Sequence, residues 1–220
     1  MTDIVVASET NLPPIRQERD IGFESQFIEH LRTICKDTGM AAVLRRNAGT
    51  TLAEARNAMW FYRCLATWHV NEREEEQFFL VATLFALDKS AHEAAGEFQG
   101  DFGATLRILD KKYYGKNEQK ESPLDRRFNI LLDADFDPMT GGELAFRLRQ
   151  MVKLVTSKRD PQVRINWPML LADIRRWNHG RKWVQKKWAR SYYAPISDEK
   201  GTLPTGSGSG EDQLEDKGEK

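Results

Sequence analysis

Apolar residues recur at intervals of three and four along most of this chain, and no stretch shows the apolar/polar alternation of a half-buried strand. There is no Asn-Gly hairpin signal and no internal repeat. A chain so patterned can bury its apolar surface only by packing amphipathic helices on one another, so the expected fold class is all-α, a helical bundle packing.

Residues 21–39 carry the first helix, with Asp20 placed to cap it, Phe23, Phe27, Leu31, Ile34 and Cys35 on its inner face, and Gly39 at its end. A short helix over 40–47 follows and bears Arg45 and Arg46. Thr51 and Glu54 have the spacing of a capping box, which predicts a helix running through Trp60, Tyr62, Leu65 and Trp68. Asn71 caps the next one, and Glu72, Glu74, Glu75 and Glu76 fall in its first turn, where the helix dipole favours negative charge. That acidic run is helix chemistry rather than a metal site. A further helix is expected over 102–113.

Ser122 and Pro123 start the following helix as cap and first residue; Leu124, Phe128, Leu131 and Leu132 form its inner face, and Arg126 and Arg127 project from it. Pro138, Gly141 and Gly142 then interrupt the chain. Three helices are expected after them. In the first, Leu144, Leu148, Met151, Val152 and Val155 make the buried stripe, with Arg149 and Lys153 opposite and Arg147 at the edge. In the second, Pro168 begins the helix, Leu170, Leu171, Ile174 and Trp177 pack inward, Gly180 ends it, and Arg176 points away. In the third, Val184, Trp188 and Tyr192 are buried, while Lys182, Lys186 and Arg190 repeat every four residues on the far side, with Trp183 and Tyr193 beside them. The organisation expected is a loose segment over 1–20, an N-terminal helical lobe over 21–114, a polar linker over 115–122, a basic C-terminal lobe over 123–197, and a disordered acidic tail over 198–220.

Charge separates these parts. The chain as a whole has 33 basic and 33 acidic residues, yet residues 143–193 hold 13 basic against 3 acidic ones. A field of one sign concentrated there calls for an anionic partner. The same stretch holds Trp167, Trp177, Trp183 and Trp188, four of the chain's 6 tryptophans. Bases interleaved with aromatics suit single-stranded nucleic acid, cations meeting phosphates and rings stacking on bases. Trp177 and Trp188 lie on apolar stripes and belong to the core; Trp183 lies on the basic side, open to stacking or a subunit contact. In the tail, 7 acids, 3 bases and a Gly-Ser run offer too little apolar surface to offset the entropy of ordering.

Catalytic classes find little support. Asp133, Asp135 and Asp137 match the first positions of an EF-hand loop, but Pro138 stands where its glycine belongs and Leu144 where its glutamate belongs. Their expected role is to pair with Arg126, Arg127 and Arg147. His30, His69, His92 and His179 lack zinc spacing, and no serine-nucleophile or phosphate-loop motif is found. No cofactor is expected. Cys35 and Cys64 lie in apolar helical patterns and read as buried free thiols of a reducing compartment. The first residues do not form a secretory signal, and the longest apolar run, 78–87, is about half of what a membrane helix needs. A cytoplasmic protein without membrane contact is expected.

Several motifs, taken in order, resemble the CasB family: Leu44-Arg45-Arg46; Arg126-Arg127-Phe128 with Leu131 to Asp135; Phe146-Arg147-Leu148-Arg149-Gln150; Trp167-Pro168-Met169-Leu170-Leu171 with Trp177; and Trp188-Ala189-Arg190-Ser191-Tyr192-Tyr193. CasB is the small subunit of Cascade, the type I-E CRISPR surveillance complex. The resemblance implies an all-helical, non-catalytic protein of two lobes that pairs with a second copy of itself. Its implied partners are the CRISPR RNA, the target and non-target DNA strands, and the backbone and large subunits of Cascade. It implies a role in stabilising the R-loop and the displaced strand, with Arg45, Arg46, Arg127, Arg147 and Arg149 as the matching basic residues. The residues themselves add Arg126, Lys153, Arg176, Lys182, Trp183, Lys186, Lys187 and Arg190 as candidates for binding nucleic acid. A free-standing helical DNA-binding regulator is the alternative reading, and a protein whose basic face binds a phosphorylated small molecule or an acidic protein is another.

Overall fold

The computed structural model of the chain describes residues 22–93, 99–115 and 121–194. Among them are ten α-helices and one short 3-10 helix, and no strand. The expected all-α class holds. The Asp20 cap, residues 116–120 of the polar linker and the tail over 198–220 lie outside the described residues.

The helices are α1 (Gly22–Ile34), α2 (Thr38–Arg46), α3 (Trp60–Thr67), α4 (Glu75–Phe85), α5 (Lys89–Glu93), α6 (Phe102–Tyr113), α7 (Pro123–Asp133), α8 (Gly142–Ser157), α9 (Trp167–Ile174) and α10 (Trp183–Tyr193). Side-chain caps start several of them where the sequence places a short polar residue. Asp101 Oδ1 accepts from the Ala104 amide at 3.0 Å and starts α6. At α7 the reciprocal box forms, Ser122 Oγ accepting from the Asp125 amide at 3.1 Å while Asp125 Oδ2 accepts from the Ser122 amide at 2.6 Å.

Every residue of α4 from Phe78 to Phe85 is buried, because α2, α3, α8 and α9 surround it. A helix apolar on all sides must lie inside. α9 packs on α1 as well as α4, and α10 lies along α6. The core therefore draws on residues before and after the 115–122 segment, from Phe27 and Phe79 to Trp177, Trp188 and Tyr192.

Buried polar groups tie the helices together. Asp173 of α9 accepts from Trp188 Nε1 and from Lys187 Nζ, each at 2.7 Å. Burial nonetheless pushes the Asp173 carboxyl above its usual range, with the Lys187 ammonium acting against that shift. Asp110 of α6 accepts from Tyr192 Oη at 2.5 Å and from Ser122 Oγ at 2.7 Å, joining α6, α10 and the start of α7. Arg175 donates to Glu74 at 2.9 Å and also to Glu24, which is 3% exposed.

Several local expectations are corrected. Phe23 is 40% exposed while Glu24 and Ile28 are buried, so the inner face of α1 is turned from the one the apolar spacing suggests; Arg175 supplies the counter-charge that lets Glu24 lie inside. Gly39 does not end α1 but sits within α2, which Asp37 caps. Thr51 Oγ1 does accept from the Glu54 amide at 3.3 Å, yet no helix follows until Trp60. Asn57 takes a left-handed φ of 60°, and the Asn47 side chain clasps the backbone of Arg56 on both its N–H and C=O, which bends the segment out of helical register. Leu132 is only half-buried. Arg147 pairs with Glu143 at 2.6 Å instead of with the 133–137 carboxylates.

Candidate nucleic-acid interface

The candidate basic residues fall into two groups. The first runs along α7 and α10. Arg126 and Arg127 of α7 are exposed, as are Lys182, Lys186 and Arg190 at and along α10. Tyr193 Oη donates to Asn129 Oδ1 at 3.0 Å, which ties the end of α10 to α7. Arg126 lies one turn before Asn129 on α7, and Arg190 one turn before Tyr193 on α10. From Arg190 the line continues through Lys186 to Lys182. Trp188 and Tyr192 point the other way, each with 0% exposure.

The second group surrounds the start of α8. Arg149 is half-buried, its side chain lying along Gly49, where a Cβ would come within 3.0 Å of Arg149 Cδ. This corrects its expected place opposite the core: the loop after α2 covers that flank of α8. Arg149 Nε is buried and has no hydrogen-bond partner among the described residues. Arg45 and Arg46 close α2 directly before this loop, Arg46 exposed and Arg45 half-buried. Arg147 is half-buried and lies over the Phe146 ring at 5.4 Å, and Lys153 is exposed one turn beyond Arg149.

Other candidates are differently placed. Lys187 directs its ammonium to the buried Asp173 carboxylate. Arg176 is exposed and donates back to the Ala172 carbonyl at 3.3 Å. Trp183 is half-buried against the core, its ring 6.4 Å from that of His179. Arg175, counted among the 13 bases, serves the core ion pairs described above. The long separations of these pairs, 151 residues for Arg175 and Glu24, leave no signal in local spacing.

A cavity of about 250 Å³ opens beside the first group, between residues 135–136, the turn after α9 and the start of α10. Gly142, at φ 62°, makes one wall possible: a Cβ there would meet the Asp135 carbonyl oxygen at 2.4 Å. Asn178 Nδ2 donates to the Phe136 carbonyl at 2.6 Å and holds the same wall. Sequence reading missed this site because its walls come from segments some forty residues apart, and no motif marks it.

Among the described residues no group of three or more His, Cys, Asp or Glu side chains is placed to hold a metal, and no helix is long and apolar enough to cross a membrane. Fold and surface together define a small all-helical protein with cationic outer faces on α7, α8 and α10. The family model of "CRISPR-associated protein Cse2" matches residues 40–193, and the chain belongs to that CRISPR-associated family, the CasB family its motifs resemble. A Cse2 protein of Thermus thermophilus is 35% identical over 136 residues, an alignment spanning 61% of this chain and 66% of that relative. Among solved structures, a Cse2-family protein of Thermus thermophilus superposes with a TM-score of 0.59 at 28% identity, covering 78% of this chain and 98% of its own. CasB of M. ruber does so with a TM-score of 0.59 at 29% identity, covering 78% and 92%. A chain of a CRISPR RNA-guided surveillance complex, 20% identical with a TM-score of 0.61 over 78% and 92%, shares the fold.

Proposed function

We propose that this chain is a non-catalytic small subunit of a CRISPR RNA-guided surveillance complex, and that its two cationic groups hold strand backbones of the guide RNA–target DNA R-loop and of the displaced strand. The observation that carries this reading is the line Arg126, Arg190, Lys186, Lys182, exposed on two helices that Tyr193 and Asn129 fasten together. An R-loop exchanges one duplex for another at nearly balanced free energy, so protein contacts to phosphates can decide its stability. Phosphate contacts carry no sequence information, which suits a subunit that must serve any guide. The partners proposed with this role are the CRISPR RNA, both DNA strands, the backbone and large subunits, and a second copy of the chain.

Binding of the purified chain to fluorescent single-stranded oligonucleotides, followed by anisotropy over a series of salt concentrations, tests the nucleic-acid part. Each phosphate contact contributes about 0.7 to the slope of log affinity against log salt, so the four residues of the line give a slope on the order of 3. The slope should not depend on base sequence. An affinity that ignores salt would sink the reading.

A further inference from the structure

α10 contains no Asp or Glu. Lys182, Lys186 and Arg190, at and along it, are exposed, and none of them makes an ion pair among the described residues. The second cationic group is less open: Arg147 is paired with Glu143, and Arg149 is half-buried. Exposed cations without counter-charges attract whatever anionic group is held nearby.

The chain itself tethers such a group to the end of this face. The described residues end at Ala194, one turn beyond Arg190, where Arg107 Nη1 donates to the Ala194 carbonyl at 3.4 Å. Residues 195–210 then lead to Glu211-Asp212-Gln213-Leu214-Glu215-Asp216, which has four acids and no base. A connection of that length spans at most about 55 Å, whereas α10, with 11 residues, is about 16 Å long. The acidic segment therefore reaches every cation of the face, at an effective concentration on the order of millimolar. The spacing fits as well. An extended chain sets the acid pairs 211–212 and 215–216 about 13 Å apart, and eight helical residues separate Lys182 from Arg190 by about 12 Å.

We infer that residues 211–216 dock on the cationic face of α10 within the same chain and compete there with the nucleic-acid strand. The inference deepens the proposed function, which supplies the competing strand. Exposed ion pairs are individually weak, so a strand that engages the whole cationic line displaces the segment, while a passing contact with one or two phosphates does not. The segment sets a threshold against non-specific binding.

Paramagnetic relaxation enhancement on the full chain tests the docking. Cys35 and Cys64 are buried, so a nitroxide coupled to Gln213→Cys goes to that position alone. At about 50 mM salt it should broaden the amide signals of Lys182, Lys186 and Arg190, and the broadening should vanish at about 1 M salt, where the screening length falls to about 3 Å. It should vanish too when a single-stranded oligonucleotide is added, or when Glu211→Gln, Asp212→Asn, Glu215→Gln and Asp216→Asn are introduced together. In anisotropy, that amide variant without the label should bind the oligonucleotide about fivefold more tightly than wild type at low salt and equally at high salt. Unbroadened α10 signals, broadening that survives the amide substitutions, or broadening centred on Arg46 and Lys153 would overturn the inference. So would broadening seen only between mixed chains, which would place the segment of a second copy on this face, or measurable but equal oligonucleotide affinities at low salt. Salt-dependent oligonucleotide binding with unbroadened α10 signals would overturn this inference alone. If neither chain binds the oligonucleotide while the amide-sensitive broadening holds, the docking stands and the proposed function is overturned.

Discussion

Gly103 of α6 lies so close to Trp188 of α10 that a Cβ on the glycine would come within 2.2 Å of the Trp188 carbonyl oxygen. The two helices meet backbone to backbone, with the Phe102 and Trp188 rings packed beside the contact at 5.3 Å. This fixes α10, and with α10 the height at which Lys186 and Arg190 stand above the surface.

Gly103→Ala must push the two helices apart, and an overpacked core of this kind loses about 1–3 kcal/mol. Urea denaturation measures it. Gly180→Ala, where a Cβ meets nothing within 4 Å, is the control and should change stability by less than about 0.5 kcal/mol.

Asp173 and Lys187 form the buried pair under α10. Asp173→Ala strands the ammonium and the Trp188 N–H together, and should cost about 3–5 kcal/mol. Lys187→Met should fall toward the lower end of that range, because the lysine side chain is 32% exposed and water screens part of the pair. The pH dependence has a definite sign. A carboxyl raised in the folded state binds its proton more tightly there than in the unfolded chain, so its contribution falls as pH rises from the ordinary aspartate value through the raised one. Without Lys187 the carboxyl rises further, so the stability of Lys187→Met should decline more steeply with rising pH above about 4 than that of wild type. Parallel curves would contradict the pairing.

Cys35 and Cys64 are free and each 7% exposed, and burial pushes both thiols up to about 11. At pH 8 the native protein should therefore resist iodoacetamide at both positions, and both should react once the chain is unfolded. Mass spectrometry of timed samples reads this directly. Rapid alkylation of the folded chain would show that the helices carrying them open readily.

Much of this fold is legible from local signals. The Ser122-Pro123 start of α7, the bounds of α6, the inward stripe of α8 and the opposition of Trp188 to Lys186 on α10 all follow from capping chemistry and a period of 3.6. What escapes is set by distant partners. Glu24 is buried because Arg175 reaches it from α9, and Arg149 is half-covered because the Gly49 loop folds over α8. The Thr51 cap forms, but Asn47 diverts the chain before a helix can grow from it. At the candidate interface, local spacing identified the exposed face of α10; it could not tell Lys186, which faces solvent, from Lys187, which serves Asp173, because only the fold brings that carboxylate within 2.7 Å.

The central claim is that the exposed line on α7 and α10 grips nucleic-acid backbones. Its most direct test is target DNA binding by the surveillance complex reconstituted with the triple variant Arg126→Glu, Lys186→Glu and Arg190→Glu. All three residues are exposed, so the variant chain should keep its thermal stability within a few degrees and should still enter the complex. Target binding should weaken about tenfold or more, and its salt dependence should become shallower as phosphate contacts are lost. A complex that contains the folded variant and binds target DNA as tightly as wild type, with the same salt dependence, would contradict the account.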